Sequence, residues 1–462
     1  MLPLTLAEIA AAVGGTLHDA DPQAQVTGLC TFDSRAVEPG GLYVALPGAR
    51  VDGHDFVEQA VAAGAVVVIA KRPVGVPAVV VDDTLAAYGR LATAIVERLP
   101  NLGVVGVTGS VGKTTTKDLI GQVLSRLGPT TAPPGNRNSE SGMPEIVSRV
   151  TAESRFLVLE MGARNVGDIA YLTSVVRPQV GVVLNVGTAH LGEFGSREAI
   201  AKAKGELVES LAAEGTAVLN ADDPMVAAMA GRTAAKVVTF GLSAGATVRA
   251  EAVEADEAGR ASFTLRTPGG EARVTLRLVG EHLVSNALAA AAVALHFTDD
   301  LALIAEALSA AAPVSEGRMQ VLESPAGITV INDAYNAGPV SMTAALRTLT
   351  KLAAGRRAVA VLGQMNELGE TSRADHVGVG TVAAEVGVDW LLTVGNEDAA
   401  QLGRAAAERG VATRHVPDRD AARAALVESL APGDVVLFKG SNSVGLMALA
   451  TDLATGADLG TH

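Results

Sequence analysis

Residues 106–116 read Gly106-Val107-Thr108-Gly109-Ser110-Val111-Gly112-Lys113-Thr114-Thr115-Thr116, directly after an apolar run over 102–105. A strand that ends in a glycine-rich turn and then opens a helix is the setting a phosphate-binding loop needs. Glycines let backbone N–H groups curl around phosphate oxygens without a Cβ clash. The helix N-terminus adds free donors and a partial positive charge. Lys113 is placed to reach the β- and γ-phosphates, and the Thr114 hydroxyl to hold Mg²⁺. A bound nucleoside triphosphate is therefore expected, with Thr108, Gly109, Ser110, Val111, Gly112, Lys113, Thr114 and Thr115 around its phosphates. The general pattern asks for glycine at 107, and Val107 stands there, leaving the narrower form T-G-x-x-G-K-T.

Several other positions carry chemistry-bearing side chains at strand ends. Glu160 closes the apolar strand 156–159, at the edge where open α/β sheets place ligands. A carboxylate there suits Mg²⁺, although a solvated loop glutamate is the plainer reading. His190 follows the next strand and could serve a metal, a phosphate or the local structure. The stretch Ala201-Lys202-Ala203-Lys204-Gly205-Glu206 reads as a helix, by itself an ordinary solvated face. Asn136 and Asn138 lie in a polar turn ending at Gly142 and Pro144, and Asx turns alone would account for them. Asn332-Asp333-Ala334-Tyr335-Asn336 and Lys439-Gly440-Ser441 end two later strands, and Asp33-Ser34-Arg35 could hold a phosphate or form a turn. Cys30 and Trp390 read as core.

The elements that must position these residues follow a βα rhythm. At 462 residues a single core is implausible. Residues 1–84 alternate short strands, turns and a helix, and 85–99 form a linking helix. From 102 to about 312, buried parallel strands at 156–159, 181–184, 217–219 and 237–240 alternate with helices. Between 247 and 279 the rhythm becomes period two with glycine turns, suggesting antiparallel strands, before a helix over 281–297. A third βα block has strands at 328–331, 358–362, 390–394 and 435–438. The expected fold is thus α/β with three domains, 1–84, 85–312 and 313–462.

Composition narrows the function classes. Apolar residues make up 48% and charged residues 19%, which fits a well-packed globular chain. A formal net charge of −14 argues against a nucleic-acid surface. One cysteine excludes an intramolecular disulfide. The start has no basic n-region, and no stretch approaches the ~18 apolar residues of a membrane span, so a cytoplasmic setting without membrane contact is expected.

Together these motifs resemble the Mur ligases, the ATP-dependent amide-forming enzymes of peptidoglycan synthesis. The loop without its first glycine is the family's form. So are N-x-N-x-x-x-G-x-P at 136–144, Leu159-Glu160-Met161-Gly162, Ala189-His190-Leu191, Ala203-Lys204-Gly205-Glu206, 332–336, Leu362-Gly363-x-Met365-x-Glu367-Leu368-Gly369 and Lys439-Gly440-Ser441. The resemblance runs along essentially the whole chain. It implies a small α/β UDP-binding domain, a central P-loop sheet domain and a C-terminal Rossmann-like domain. It also points to the branch that joins D-alanyl-D-alanine to UDP-N-acetylmuramoyl-tripeptide. A muramate–alanine ligase would begin with G-x-G-x-x-G, and residues 1–30 show none.

The resemblance further implies roles. ATP lies on Lys113 and the 109–114 backbone; Thr114 and Glu160 bind one Mg²⁺, while His190 and Lys204 serve a second. Lys204 matches the lysine that family members carboxylate on its side-chain nitrogen, with Lys202 the nearby competitor. Lys113, Lys204 and His190 form the catalytic set. Asn286, Arg318, Asp333 and Tyr335 contact the nucleotide. Ser34, Arg35 and His54 grip the UDP end, and Asn136, Asn138, Asn336 and Lys439 the remaining substrate. A monomer is expected. Three positions depart from the usual motifs: Gln364 for Asp, Gly338-Pro339 for Asn-Pro, and Asn442 for Arg.

Overall fold

The structure is a computed structural model that describes residues 1–48, 51–187 and 191–456. It is built on three sheets of five, nine and six strands, with a small two-stranded pair, Leu4–Thr5 with Gln25–Val26. The five-stranded sheet runs Thr16–His18, Ala78–Val80, Ala65–Ala70, Gly41–Val44, Cys30–Thr31, parallel except at its first strand.

In the nine-stranded sheet the phosphate-loop strand, Gly103–Thr108, lies between Phe156–Glu160 and Val180–Val183, parallel to both. Every residue of these three strands is buried, as the continuous apolar runs require. The loops after 108, 160 and 183 therefore open on one edge. This register also explains Val107. It pairs with Glu160 and Val182 inside the sheet and is fully buried, so the missing glycine belongs to the strand, not to the loop. The strands Val248–Ala255, Arg260–Thr267 and Gly270–Val279 form an antiparallel meander that extends the same sheet.

Helix Thr84–Glu97 begins where the Asp83 carboxylate accepts the Leu85 and Ala86 N–H groups, the usual N-cap arrangement. Its buried face (Ala87, Tyr88, Leu91, Ala92, Ile95) belongs to one apolar cluster that holds Leu4, Leu6 and Ile69 on one side and Leu157, Leu159 and Val183 on the other. The first two sheets thus share a core across this helix. The opposite face of the central sheet packs on Lys113–Leu124 and the alanine-rich Leu283–Phe297.

The six-stranded sheet runs Gln320–Glu323, Thr329–Asn332, Val435–Lys439, Ala358–Gly363, Trp390–Val394, Ala412–Val416, and only its first strand is antiparallel. It has separate apolar layers on its two faces. The edge strands Gln320–Glu323 and Ala412–Val416 are absent from the sequence reading. Both are short and partly exposed, so neither presents an apolar run. Cys30 is fully buried and Trp390 nearly so, as expected of core residues.

The segment that leads into this third unit is stitched to the phosphate-loop helix. Gln122 exchanges two hydrogen bonds with the Ala312 backbone, at 3.0 and 2.9 Å. The Asp118 carboxylate accepts the Ser315 N–H at 3.2 Å, and the Ser315 hydroxyl accepts the Gly135 N–H at 3.1 Å. Among the described residues, no helix is long and apolar enough to cross a membrane.

Candidate active site

A cavity of about 1140 Å³ opens where the central sheet's carboxyl edge faces the third unit, and helix Thr84–Glu97 closes one side. The phosphate loop forms its floor. Gly112, at φ +84°, is the N-cap of Lys113–Leu124, and a Cβ there would stand 3.2 Å from the Asn286 side chain. Only glycine meets both the left-handed backbone and the close approach. Asn286, one turn into helix Leu283–Phe297, donates to the Gly112 carbonyl at 3.5 Å.

Asn185 clamps the loop from the neighbouring strand end. Its Oδ1 accepts the Ser110 and Val111 N–H groups at 3.0 and 2.9 Å, and its amide donates to the Val111 carbonyl at 3.1 Å. Sequence reasoning gave Asn185 no role. Its one available signal was position, a polar residue directly after a buried parallel strand.

The Lys113 ammonium donates back to the Gly109 carbonyl at 2.8 Å, which folds it over the loop. Burial lowers its proton affinity, the Glu160 carboxylate opposes that, and the Arg318 charge adds to it. The Thr114 hydroxyl donates to Glu160 Oε2 at 2.7 Å, and Asn138 donates to Glu160 Oε1 at 2.7 Å. Glu160 is buried, with both oxygens turned to groups at the cavity edge.

Lys204 sits on the inner side of helix Arg197–Glu209, only 4% exposed. Among the described residues its ammonium has no hydrogen-bond or ion-pair partner. Burial, then the charge of Lys113, hold its pKa well below the ordinary lysine value. An unpartnered buried cation is costly, so the neutral amine is favoured. Lys202 is exposed and outside the cavity wall. Glu206 turns away and accepts the Gly167 and Ala170 N–H groups.

The oxygen donors Thr114 and Glu160, at a helix N-terminus beside a buried amine, make a set suited to Mg²⁺. Thr114 and Glu160 are the residues that would hold it, with Lys204 close by on the cavity wall. His190, assigned from sequence with Lys204 to a second Mg²⁺, lies outside the described residues.

The third unit brings Arg318, Asp333, Tyr335, Asn336 and Lys439 to the opposite wall. Arg318 stacks 4.2 Å over the Tyr335 ring and donates to the Thr114 hydroxyl at 3.2 Å. Among the described residues its buried Nε has no hydrogen-bond partner, an orphan donor beside the cavity. The Tyr335 hydroxyl donates to Asn136 Oδ1. Lys439 donates to Asp333 Oδ2 at 2.6 Å, to the Asp333 carbonyl at 3.3 Å and to the Asn336 carbonyl at 2.9 Å. All three ammonium protons are engaged, so Lys439 fixes the 333–336 turn in this structure. His282, the residue just before the Asn286 helix, also lines the cavity and was not singled out from sequence.

Ser34, Arg35 and His54 lie apart from this cavity, around the carboxyl end of the five-stranded sheet. The Ser34 hydroxyl donates to Gln59 Oε1 at 3.0 Å, and Arg35 forks onto Asp33 with two bonds of 2.8 Å. His54 is buried; its Nδ1 meets Asp52 at 2.6 Å, while Nε2 accepts the Lys71 N–H at 3.0 Å.

Comparison with known proteins agrees with this architecture. Three family models match: "Mur ligase family, catalytic domain" over 27–105, "Mur ligase middle domain" over 107–294, and "Mur ligase, glutamate ligase domain" over 317–442. The UDP-N-acetylmuramoyl-tripeptide–D-alanyl-D-alanine ligase of Mycobacterium bovis is 48% identical, with 98% of each chain covered. The Escherichia coli protein of that name is 36% identical over 96% of this chain and 97% of its own. The crystal structure of MurF from Acinetobacter baumannii has a TM-score of 0.87 at 35% identity, covering 98% of this chain and 99% of that one. MurF ligase from Thermotoga maritima, solved in complex with ADP, gives 0.76 at 29% identity, covering 93% and 98%. With this fold, this cavity and these matches along nearly its whole length, the chain belongs to the Mur ligase family.

Proposed function

We propose that the chain is an ATP-dependent ligase joining D-alanyl-D-alanine to UDP-N-acetylmuramoyl-tripeptide. The observation that carries the reading is the convergence on one cavity of the Lys113–Thr114 loop, the Glu160 carboxylate, the buried Lys204 and the Arg318–Tyr335 pair. The names of the closely related proteins supply the substrates.

The terminal carboxylate of the tripeptide attacks the γ-phosphate of ATP, so an acyl phosphate forms and ADP leaves. The amine of D-alanyl-D-alanine then attacks the acyl carbon; the amide bond forms, a proton is lost and phosphate departs. Lys113 and the loop N–H groups hold the phosphate charge, and Arg318 approaches from the other unit to complete the cradle. Fixed charges of this kind, aimed at the transferring group, supply most of the catalysis in phosphoryl transfer. Mg²⁺ held at Thr114 and Glu160 would neutralise further phosphate charge. Lys204 is the candidate for side-chain carboxylation: only a neutral amine adds CO₂, and its burial favours that form. The product carries negative oxygens suited to a second Mg²⁺, with His190 as co-ligand. Asn286 is assigned to the adenine side, Asn136, Asn138 and Asn336 to the reacting end of the substrate, and Ser34, Arg35 and His54 to the UDP end.

The division into units at 84/85 and 312/313 belongs to the same proposal. So do action as a monomer, because one chain supplies every wall of the cavity, and a cytoplasmic location. The test is phosphate release from ATP with both substrates, each alone, and neither. Release that requires both, with the joined product seen by mass spectrometry, is expected; ATP turnover indifferent to both would overturn the reading.

A further inference from the structure

Three consecutive residues at the cavity rim bind three different parts of the chain. Asn136 accepts from Tyr335 of the third unit, and Asn138 donates to Glu160 of the central sheet. Arg137, between them, turns the other way. Its Nη1 donates to Glu145 Oε2 at 2.8 Å, and its guanidinium lies 5.9 Å from the Phe32 ring centroid. The same Glu145 oxygen accepts the Thr31 hydroxyl at 3.0 Å. Thr31 ends a strand of the amino-terminal sheet and Phe32 follows it, so this contact crosses from the second unit to the first.

Glu145 is fully buried, and among the described residues Arg137, Arg149 at 3.6 Å and Thr31 compensate its charge. A carboxylate buried this deeply is tolerated only while its partners stay in place. Gly142 lets the chain close on itself here, since a Cβ at 142 would stand 3.0 Å from the Arg137 backbone. The turn is therefore held from behind by a charge that has no contact with the cavity.

We propose that Glu145 is a positioning residue: through Arg137 it sets Asn136 and Asn138, and so ties the seating of the amino-terminal unit to the metal-binding carboxylate Glu160 and to Tyr335. This rests on the proposed ATP·Mg²⁺ site but not on the identity of the acceptor.

The test is calorimetric binding of ADP to the full chain as Mg²⁺ is varied, with thermal unfolding measured in parallel. Loss of a direct partner of a metal ligand typically weakens metal binding about 10–100-fold, so a group one step further out should raise the half-saturating Mg²⁺ about three- to tenfold. That is expected for Glu145→Gln and Arg137→Gln. The double variant Arg137→Leu with Glu145→Leu should return toward the wild-type value, because apolar groups can replace an ion pair whose carboxylate is buried without loss of packing. Leu349→Ala, a cavity in the third unit's core, should lower the melting temperature and leave the Mg²⁺ requirement alone. If Glu145→Gln does not fold, Thr31→Val removes one bond to the same oxygen and should shift the requirement in the same direction by less.

A wild-type Mg²⁺ requirement in these variants beside a lowered melting temperature overturns the proposal, as does an equal shift in Leu349→Ala. A wild-type chain that binds Mg²⁺·ADP but releases no phosphate with both substrates overturns the ligase reading alone, and the variant comparison still decides the role of Glu145.

Discussion

The cavity floor and the carboxyl end of the amino-terminal sheet hold the same kinds of side chain in opposite states. On the cavity side, among the described residues, Lys204 has no partner and Arg318 keeps an orphan Nε, and Gly112 bends the backbone into a left-handed turn. On the amino-terminal side, Ser34 is bonded to Gln59, Arg35 is forked on Asp33, and both ring nitrogens of His54 are engaged. Buried polar groups seldom lack partners. Where they do, a ligand is the natural supplier, and where they do not, the residue first maintains its own fold.

Substitutions can break or sharpen that contrast. Lys113→Ala should cost the largest factor, at least about 10²–10³ in kcat for phosphate release, as for loss of a preorganised charge on a transition state. Its melting temperature should stay near wild type; ordinary turnover would sink the assignment of the loop. Lys204→Ala should be nearly as damaging, and added bicarbonate should not restore it. Full activity there would move the carboxylated position elsewhere or remove it.

Lys204 also carries a pH signature. Without added CO₂, the folded chain holds the Lys204 proton less tightly than the unfolded chain, where the pKa is about 10.4. Between the lowered folded value and about 10.4 the unfolded state binds more protons, so stability from this group rises with pH across that window. Below it the cost of the buried cation is fully present. Lys204→Met should therefore melt higher than wild type in acidic, bicarbonate-free buffer, with the gap closing as pH rises. A gap that widens with pH contradicts the burial account.

Arg318→Lys should lower kcat/KM for ATP about tenfold, since lysine cannot both stack on Tyr335 and reach Thr114. His54→Ala should leave the KM for ATP unchanged but cost about 1–3 kcal/mol of stability, because the Lys71 N–H loses its buried acceptor. Arg35→Ala should be the mildest, with no change in melting and about a threefold rise in KM for the UDP substrate. A tenfold rise would mean that Arg35 leaves Asp33 for the substrate, and the contrast between the two regions would narrow.

The parallel strands were legible because each is a buried apolar run, and Glu160 was legible because it ends one. The N-x-N turn was visible as a motif, yet the role of its middle residue was not: Glu145 follows Arg137 by only eight residues, but the Thr31 and Phe32 side chains that meet them come from another sheet and arrive only when two sheets share a core. Asn185 was hidden for a related reason, since its clamp on Ser110 and Val111 is a contact between neighbouring parallel strands far apart in sequence. Lys439 is a different case. A lone cation at a strand end looks available for substrate, and its engagement with Asp333 and Asn336 depends on a turn about a hundred residues earlier.

The stitches between Gln122, Asp118 and the segment 312–315 set a tether length. Arg318 lies three residues past the last of them, and three extended residues span about 10 Å at most. However far the outer edge of the six-stranded sheet swings, Arg318 cannot travel beyond that radius from Ser315, which is itself pinned to the helix that begins with Lys113. A swing of that unit would therefore carry its outer edge much further than the guanidinium beside the phosphate loop, so opening the cleft to admit substrates need not dismantle the nucleotide side.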